Sequence, residues 1–317
     1  MNKSILLTTL VVLLVAGCTG TNIQLPFQQI TTTAGGGNGL VITDFSPDSS
    51  TVSSGSTDRI SFTITNAGGA VVPDSNSLIY LTGSDISLTD TTGVYWHSNT
   101  DTSQFKHFGK DMNPANANTG VPADEKMIYW NLIAPTVTKS QPDRNDIFIG
   151  RVYYDYQTTV TGTIWAYTQA EADTARASSK TLSKSTFSST AGPVALVTRI
   201  SPDPVVGTDT FTLTITVNNV GGGSLYKAGS VTYTSGSEDI SLTTDEVNVA
   251  TITVSGPGIT VGPGCNGDVT LPKGTTVASC ELTLTSPPTT FQGYPITITA
   301  DYGYYTERTT SVIVTGK

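Results

Sequence analysis

Cysteine is the residue type in this sequence whose number and spacing suggest chemistry most directly. The chain has three cysteines, Cys18, Cys265 and Cys280. Turn signals at Asn266-Gly267 and Pro272-Lys273-Gly274 lie between the last two and let them approach each other. We predict a disulfide there, with a loop-closure contribution on the order of 3 kcal/mol. Free thiols are the alternative, and a metal site is disfavoured because both histidines lie in the other half of the chain.

Cys18 ends a segment that is typical of an exported lipoprotein. Lys3 precedes an apolar core from Ile5 to Ala16, which is shorter than the ~20 residues that a membrane-spanning helix needs. The sequence Val15-Ala16-Gly17-Cys18 resembles a lipobox, the cleavage and lipidation site of prokaryotic lipoproteins. It implies that residues 1–17 are a signal peptide and that a lipid on Cys18 anchors the protein to the outside of a membrane. An ordinary signal peptide with an incidental cysteine is the alternative.

A second group of reactive side chains lies in the segment 91–126, an insertion that only the first half of the chain carries. Its histidines and aspartates match no recurring metal-ligand spacing, so we expect solvated histidines and no metal. Its aromatic rings could instead contact a ligand, with nearby polar groups suited to sugar hydroxyls or to a partner's backbone. The predicted ligand-binding residues are Tyr95, Trp96, His97, Asp101, Phe105, His107, Phe108 and Asp111. The alternative is that Trp96 is a core residue and that the rest covers a sheet edge.

The sequence favours no enzyme activity and no cofactor. Gly262-Pro263-Gly264-Cys265-Asn266-Gly267 fits the letters of a dinucleotide-binding fingerprint, but Val269-Thr270-Leu271 follows it where the mechanism needs a helix. An enzyme would require a convergent polar site, and the sequence contains no motif that indicates one. The formal net charge of −9 also argues against a nucleic-acid partner, because there is no basic patch to neutralise phosphates.

An internal repeat with a spacing of roughly 150 residues organises the rest of the chain. Each copy has an alternating strand that runs into an Asn-x-Gly-Gly turn, where glycine permits the positive φ of a reversal. Four segments recur in the same order: Ser46-Pro47-Asp48 as Ser201-Pro202-Asp203, Asn66-Ala67-Gly68-Gly69 as Asn219-Val220-Gly221-Gly222, residues 83–89 as residues 236–243, and residues 152–156 as residues 299–304. Short alternating strands with turns between them predict an all-β fold of antiparallel sandwiches of immunoglobulin-like type.

The repeat predicts two tandem domains. After the signal peptide we expect a lipidated, flexible tether over residues 18–39, interrupted by the apolar segment Ile23–Phe27. The first β-sandwich then covers residues 40–168 and includes the insertion 91–126. Residues 169–192 form a linker, with either a short helix from about Ala170 to Ala177 or no defined structure. The second β-sandwich covers residues 193–317.

The combination of Ser-Pro-Asp, an alternating strand and Asn-x-Gly-Gly resembles the CARDB-like immunoglobulin-fold modules of archaeal and bacterial surface proteins. The resemblance covers the opening of each domain and implies adhesion, surface-layer association or a spacer role, with no catalytic residues. We therefore expect a lipid-anchored, non-catalytic cell-surface protein on the extracellular or periplasmic side, with a surface glycan or surface protein as partner. The alternative is a subunit that polymerises into a filament, with Ile23–Phe27 added as a strand to the next protomer.

Overall fold

The computed structural model describes residues 32–33 and 37–317. Three predicted features, namely the signal peptide, the lipidated Cys18 and the apolar segment Ile23–Phe27, lie outside the described residues.

The regular secondary structure of the described chain consists almost entirely of strands, which confirms the predicted all-β class with antiparallel sheets. Numbered in chain order, the strands of this part of the protein are β1 Thr32–Thr33, β2 Leu40–Pro47, β3 Thr51–Ser53, β4 Thr57–Asn66, β5 Ser77–Gly83, β6 Phe105–Lys106, β7 Glu125–Ile133, β8 Arg144–Tyr167, β9 Thr186–Ser189, β10 Val194–Ser201, β11 Val205–Val206, β12 Thr210–Asn219, β13 Ser224–Tyr226, β14 Val249–Ser255, β15 Ile259–Val261, β16 Gly267–Thr270, β17 Thr275–Leu284 and β18 Phe291–Thr315. A 3-10 helix covers Asp74–Asn76, and an α-helix, α1, covers Gln169–Ala177.

Within the described residues these strands form a large sheet and two small sheets. The first small sheet has the order β2-β4-β7 and belongs to the first repeat copy. The second small sheet has the order β10-β12-β17-β15 and belongs to the second copy. All the remaining strands form the large sheet, whose main path is β1-β9-β8-β18-β14-β16.

The centre of the large sheet is a ribbon of two long antiparallel strands, β8 and β18, one from each copy. They pair continuously from Arg144 opposite Val314 to Tyr167 opposite Phe291. Each copy also places a short parallel strand beside the other copy's long strand, because β3 pairs with β18 and β11 pairs with β8. The copies therefore share backbone hydrogen bonds along the whole ribbon.

Strict alternation along the ribbon explains how its two faces are used. Even-numbered residues of both strands, such as Val152, Tyr154 and Tyr304, are buried in a hydrophobic cluster that also contains the inner faces of both small sheets. Odd-numbered Tyr153 and Tyr305 belong to a second, smaller cluster on the opposite face. Because side chains alternate across a strand, each long strand contributes to both clusters.

The repeated Asn-x-Gly-Gly turns are held by repeated tyrosines of the ribbon. The Tyr156 hydroxyl accepts hydrogen bonds from the Gly69 and Ala70 amides, each at 2.9 Å. In the second copy the Tyr304 hydroxyl accepts one from the Gly223 amide at 2.6 Å and donates one to Asn219 Oδ1 at 2.9 Å.

Glycine is required in these turns mainly because a tyrosine hydroxyl lies too close to the backbone to leave room for a Cβ atom. A Cβ atom at Gly221 would lie 2.6 Å from the Tyr304 hydroxyl, and one at Gly68 would contact the Tyr156 hydroxyl in the same way. Positive φ, the predicted reason, applies to Gly222, whose φ is 74°.

The segment 169–192 contains regular structure. The predicted helix is confirmed as α1, and its N-cap Thr168 accepts a hydrogen bond from the Glu171 amide. Further along, β9 pairs with β8 in the large sheet. The described chain from Thr32 to Lys317 is one compact unit. This arrangement differs from the expected pair of separate sandwiches, because β8 of the first copy pairs along its whole length with β18 of the second copy.

The predicted disulfide is confirmed and closes the edge of the second copy. Cys265 is bonded to Cys280, with the Cα atoms 5.3 Å apart. Cys265 lies between β15, which pairs with β17 in the second small sheet, and β16, which pairs with β14 in the large sheet. The bond thus fastens to β17 a segment that bridges the open side of the sandwich.

Candidate functional site

The insertion 91–126 closes the corresponding edge of the first copy. On one side His97 forms a bridge with Ile133 of β7, in the first small sheet. On the other side β6 pairs with β5 of the large sheet, with Lys106 opposite Ile79. The insertion therefore has a structural role, as the alternative interpretation of its sequence expected.

Two of the predicted ligand-binding aromatics are core residues. Trp96 and Phe108 are both completely buried. The Trp96 indole donates a hydrogen bond of 2.8 Å to Oδ2 of Asp146, and its ring packs edge-on against Phe148. The prediction that these two rings face a ligand is wrong, because burial of a large aromatic surface against the ribbon stabilises the fold.

Asp101, another predicted ligand-binding residue, caps the edge of β7 together with Lys106. The Asp101 carboxylate accepts a hydrogen bond from the Asn131 amide at 3.0 Å. The Lys106 ammonium group donates to the Tyr129 carbonyl and to Asp101, each at 2.6 Å. Ser98 Oγ donates to the Asn131 carbonyl at 2.7 Å. These side chains replace the hydrogen bonds of a neighbouring strand, and an edge satisfied in this way is closed to another chain.

The histidines of the insertion are not brought together with its aspartates. His97 Nδ1 lies 3.1 Å from the Tyr95 carbonyl. His107 lies between the Ser77 carbonyl and Glu238, with its Nδ1 3.2 Å and its Nε2 3.4 Å from their oxygens. Asp111 accepts a hydrogen bond from the Asp74 amide. Among the residues that the structure describes, no group of three or more His, Cys, Asp or Glu side chains could hold a metal ion.

The accessible part of the predicted site comprises a pocket in the insertion and, separately, the exposed ring of Tyr95. The pocket has a volume of about 330 Å³ and lies between residues 86–89 and residues 102–105. Phe105 forms an aromatic wall, held by stacking on Tyr80 at 4.7 Å between ring centroids. The rest of the lining includes the neutral polar residues Ser87, Thr89, Thr102 and Gln104, together with Ser103 and the apolar Ile86 and Leu88. We call this the insertion pocket, and its mix of one ring and several neutral polar groups suits a hydroxyl-rich ligand.

One contact between the two copies was not predicted from the sequence. Tyr233 of the second copy donates a hydrogen bond of 2.9 Å to Asp155 of the ribbon. The Tyr226 and Tyr233 hydroxyls lie 2.6 Å apart. Burial raises the pKa of Asp155, while the hydrogen bonds from Tyr233 and the Gly229 amide oppose that rise. Only the tyrosine-rich composition hinted at this cluster, because Asp155 and Tyr233 are 78 positions apart in the chain.

Comparisons with protein-family models and with curated proteins find no match to this sequence. No helix among the described residues is long and apolar enough to span a membrane.

Proposed function

We propose that the protein is a lipid-anchored, non-catalytic cell-surface spacer that presents the insertion pocket to a partner. The sequence around Cys18 supports the anchor. The Cys265–Cys280 disulfide supports an oxidising location outside the cytoplasm. The repeated Ser-Pro-Asp and Asn-x-Gly-Gly motifs, with their resemblance to CARDB-like modules, support a role at the surface.

The observation that carries the proposal is the ribbon of β8 and β18. A strand of 24 residues such as β8 extends about 75 Å. The insertion attaches near its first residues, where Trp96 bonds to Asp146. The N-terminal strand β1 attaches through β9 near Gly162. These two points are roughly 50 Å apart along β8, so the ribbon separates this contact of the insertion from β1, which follows Cys18 in the sequence.

Replacement of the predicted lipid site tests the anchor. We expect Cys18→Ser to move the exported protein from the membrane fraction to the soluble fraction, because the thiol that would carry the lipid is gone. The matched control is Cys265→Ser with Cys280→Ser, which removes the disulfide and should leave the protein in the membrane fraction. Retention of Cys18→Ser at the membrane after export would contradict the anchor.

Binding screens with surface glycans and surface proteins test the pocket. We expect Phe105→Ala or Tyr95→Ala to weaken binding of a hit by at least tenfold, since truncating an aromatic anchor typically costs about 2 kcal/mol. Tyr129→Ala is the matched control, because Tyr129 is similarly exposed but lies on β7 of the first small sheet. A hit whose affinity falls equally in all three variants binds elsewhere, which would contradict the role of the pocket.

A second candidate function is polymerisation by strand exchange, and one observation favours it. Residues Thr32–Thr33 lie as a parallel strand on β9, at the edge of the large sheet. A short arm of this kind can pair with the same edge of a neighbouring copy. Electron microscopy of native cell surfaces separates the two functions, because filaments one protomer thick are incompatible with a tethered monomer.

A further inference from the structure

A pair of neighbouring aromatic rings, one exposed and one half-buried, marks the end of the ribbon farthest from the insertion. Phe291, the first residue of β18, is 54% exposed, and its ring lies 6.3 Å from that of half-buried Trp165. Beneath them the buried Tyr167 ring stacks on Phe291 at 5.8 Å. Trp165 and Phe291 both belong to odd-numbered positions, on the face of the ribbon opposite the main cluster. Adjacent rings that are both accessible to water, at least in part, indicate an interaction surface more strongly than a single exposed side chain does.

The direction of β1 shows which of its ends lies nearer to the aromatic pair. Thr33 lies opposite Ser188 and Thr32 opposite Phe187. On the other side of β9, Ser188 lies opposite Thr161 and Phe187 opposite Gly162. A step backwards along the chain, from Thr33 to Thr32, is therefore a step towards Trp165. Strand β1 therefore begins at its end nearer to the aromatic pair.

The chain length between the lipid site and β1 limits how far this end can be from a membrane. Fourteen peptide units join Cys18 to Thr32, and even a fully extended chain of that length spans at most about 50 Å. This distance is shorter than the ribbon. A lipid on Cys18 would thus keep the Trp165 end of the ribbon within reach of the bilayer, at a distance of at most about 50 Å from the anchor to β1.

We propose that Trp165 and Phe291 contact the phospholipid surface to which the protein is anchored. Tryptophan has an apolar body and a polar N–H, so it is stable at the boundary between headgroups and acyl chains, where one end is apolar and the other is wet. Phenylalanine adds apolar area to the same contact. The pair then fixes which end of the ribbon faces the membrane and directs the insertion pocket away from it. This inference rests on the proposed anchor at Cys18.

Tryptophan fluorescence tests the contact directly. Of the three tryptophans in the chain, Trp96 and Trp130 are completely buried, so Trp165 reports on lipid. The chain from Cys18 onwards retains the whole folded unit, which begins at Thr32. It is coupled through the Cys18 thiol to a maleimide lipid with two acyl chains, on phosphatidylcholine vesicles whose acyl chains are brominated near the headgroups. We expect bromine to quench the emission, Trp165→Phe to abolish the quenching, and Phe291→Ala to reduce it at least twofold.

Matched variants show whether the aromatic pair itself contacts the lipid. Tyr95→Ala, which changes an exposed ring of the insertion, should leave the quenching unchanged. Absence of quenching in the unmodified chain, or equal quenching with and without Phe291, overturns the proposal. So does quenching that develops only after Ile23, Leu25 and Phe27 are replaced by serine, because the chain's own apolar segment would then be the occupant of the surface.

Chemical coupling separates this inference from the proposed function. The maleimide lipid anchors the chain whether or not cells lipidate Cys18. If Cys18→Ser stays at the membrane in cells, the proposed anchor fails while the vesicle experiment still reports on Trp165. If Cys18→Ser is released but the coupled chain shows no quenching, the anchor stands and the aromatic contact fails.

Discussion

At the scale of single residues, the hydroxyls of Tyr156 and Tyr304 connect the repeated motifs of the sequence. Each hydroxyl satisfies backbone groups of the Asn-x-Gly-Gly turn in its own copy. Tyr156 also donates to the Ala191 carbonyl, just before the first strand of the second copy. The turn and the tyrosine are therefore one unit, although some 85 residues separate them in each copy.

We predict that Tyr156→Phe and Tyr304→Phe each lower the free energy of unfolding by about 1–3 kcal/mol, because backbone groups lose their hydrogen-bond partner in a partly buried site. Urea denaturation followed by circular dichroism measures the change. Tyr95→Phe at an exposed position is the control, with an expected effect within about 0.5 kcal/mol. If the urea midpoints of Tyr156→Phe and Tyr304→Phe equal that of the control Tyr95→Phe, the hydroxyls do not stabilise the turns.

A second prediction concerns Asp155, whose pKa burial raises above its usual value. The folded state then holds the proton more tightly than the unfolded state, in which the pKa is about 3.9. The contribution of protonated Asp155 to the free energy of unfolding is therefore complete at pH values below the unfolded-state pKa. It is lost as the pH rises through the raised pKa of the folded state. Asp155→Asn carries no charge at any pH. Relative to the unmodified protein, its unfolding free energy should therefore rise between pH 4 and pH 7 in urea titrations.

Asp124 provides a control of opposite sign. Hydrogen bonds from the Asn113 amide, from Lys110 and from the Asn113 side chain lower the pKa of Asp124 to about 2. The contribution of ionised Asp124 to the free energy of unfolding is present at pH values above the pKa of the unfolded state. It is lost as the pH falls towards 2. Asp124→Asn should therefore be destabilising at pH 7 and nearly neutral near pH 2. The same pH trend in both variants would contradict the assignment of the two carboxyl groups.

At the scale of elements, the two copies close the same open side of the sandwich with different devices. The second copy uses β15 and β16 with a disulfide. The first copy uses the insertion, where Asp101 and Lys106 replace a strand's hydrogen bonds. Both devices cover backbone groups that would otherwise pair with another chain.

The disulfide should stabilise its edge more than the rest of the molecule. We predict that Cys265→Ala with Cys280→Ala lowers the unfolding free energy by about 3 kcal/mol, as expected for a loop of this length. Hydrogen exchange should accelerate most at β15 and β16 and least along β8 and β18. The double variant should be insensitive to reductant. An unmodified protein with equal urea midpoints in the presence and absence of reductant would contradict the prediction.

At the scale of the whole molecule, the shared ribbon couples the two copies. A first copy without β18 would leave the backbone groups along one edge of β8 unpaired, and the same holds for β18 without β8. The buried residues of both copies also belong to one cluster. If one copy lost its structure, backbone groups and buried side chains of the other copy would become exposed to water.

We therefore predict a single cooperative transition in calorimetry, with the calorimetric and van't Hoff enthalpies equal. A fragment of residues 40–168 should lack the near-ultraviolet circular dichroism of packed aromatic residues, because β8 has lost its partner. The matched control is the unmodified chain from Cys18 onwards. Two separate transitions, or a folded fragment, would show instead that the copies are the independent domains that the repeat suggested.

The sequence by itself determined the features that depend on local chemistry. Alternation of apolar residues identified the β class, since the period of two is a property of each strand alone. Helical propensity at the start of the segment 169–192 indicated helix α1 as one of two interpretations, and the count of cysteines predicted the disulfide. The repeat was visible because its turns require glycine at positions where a tyrosine hydroxyl approaches the backbone.

Only the tertiary structure decided which elements are partners. Alternation places Tyr153 and Tyr154 on opposite faces but does not say that β18 of the other copy lies beside them. The repeated letters Ile-Ser-Leu show the same limit, since Leu88 is buried in the main cluster whereas Leu242 packs against the cluster on the opposite face. In the insertion, the buried Trp96 bonds to Asp146, which is 50 positions away in the chain. Pairing and burial are non-local, and a pattern in one segment carries no information about the segment that will cover it.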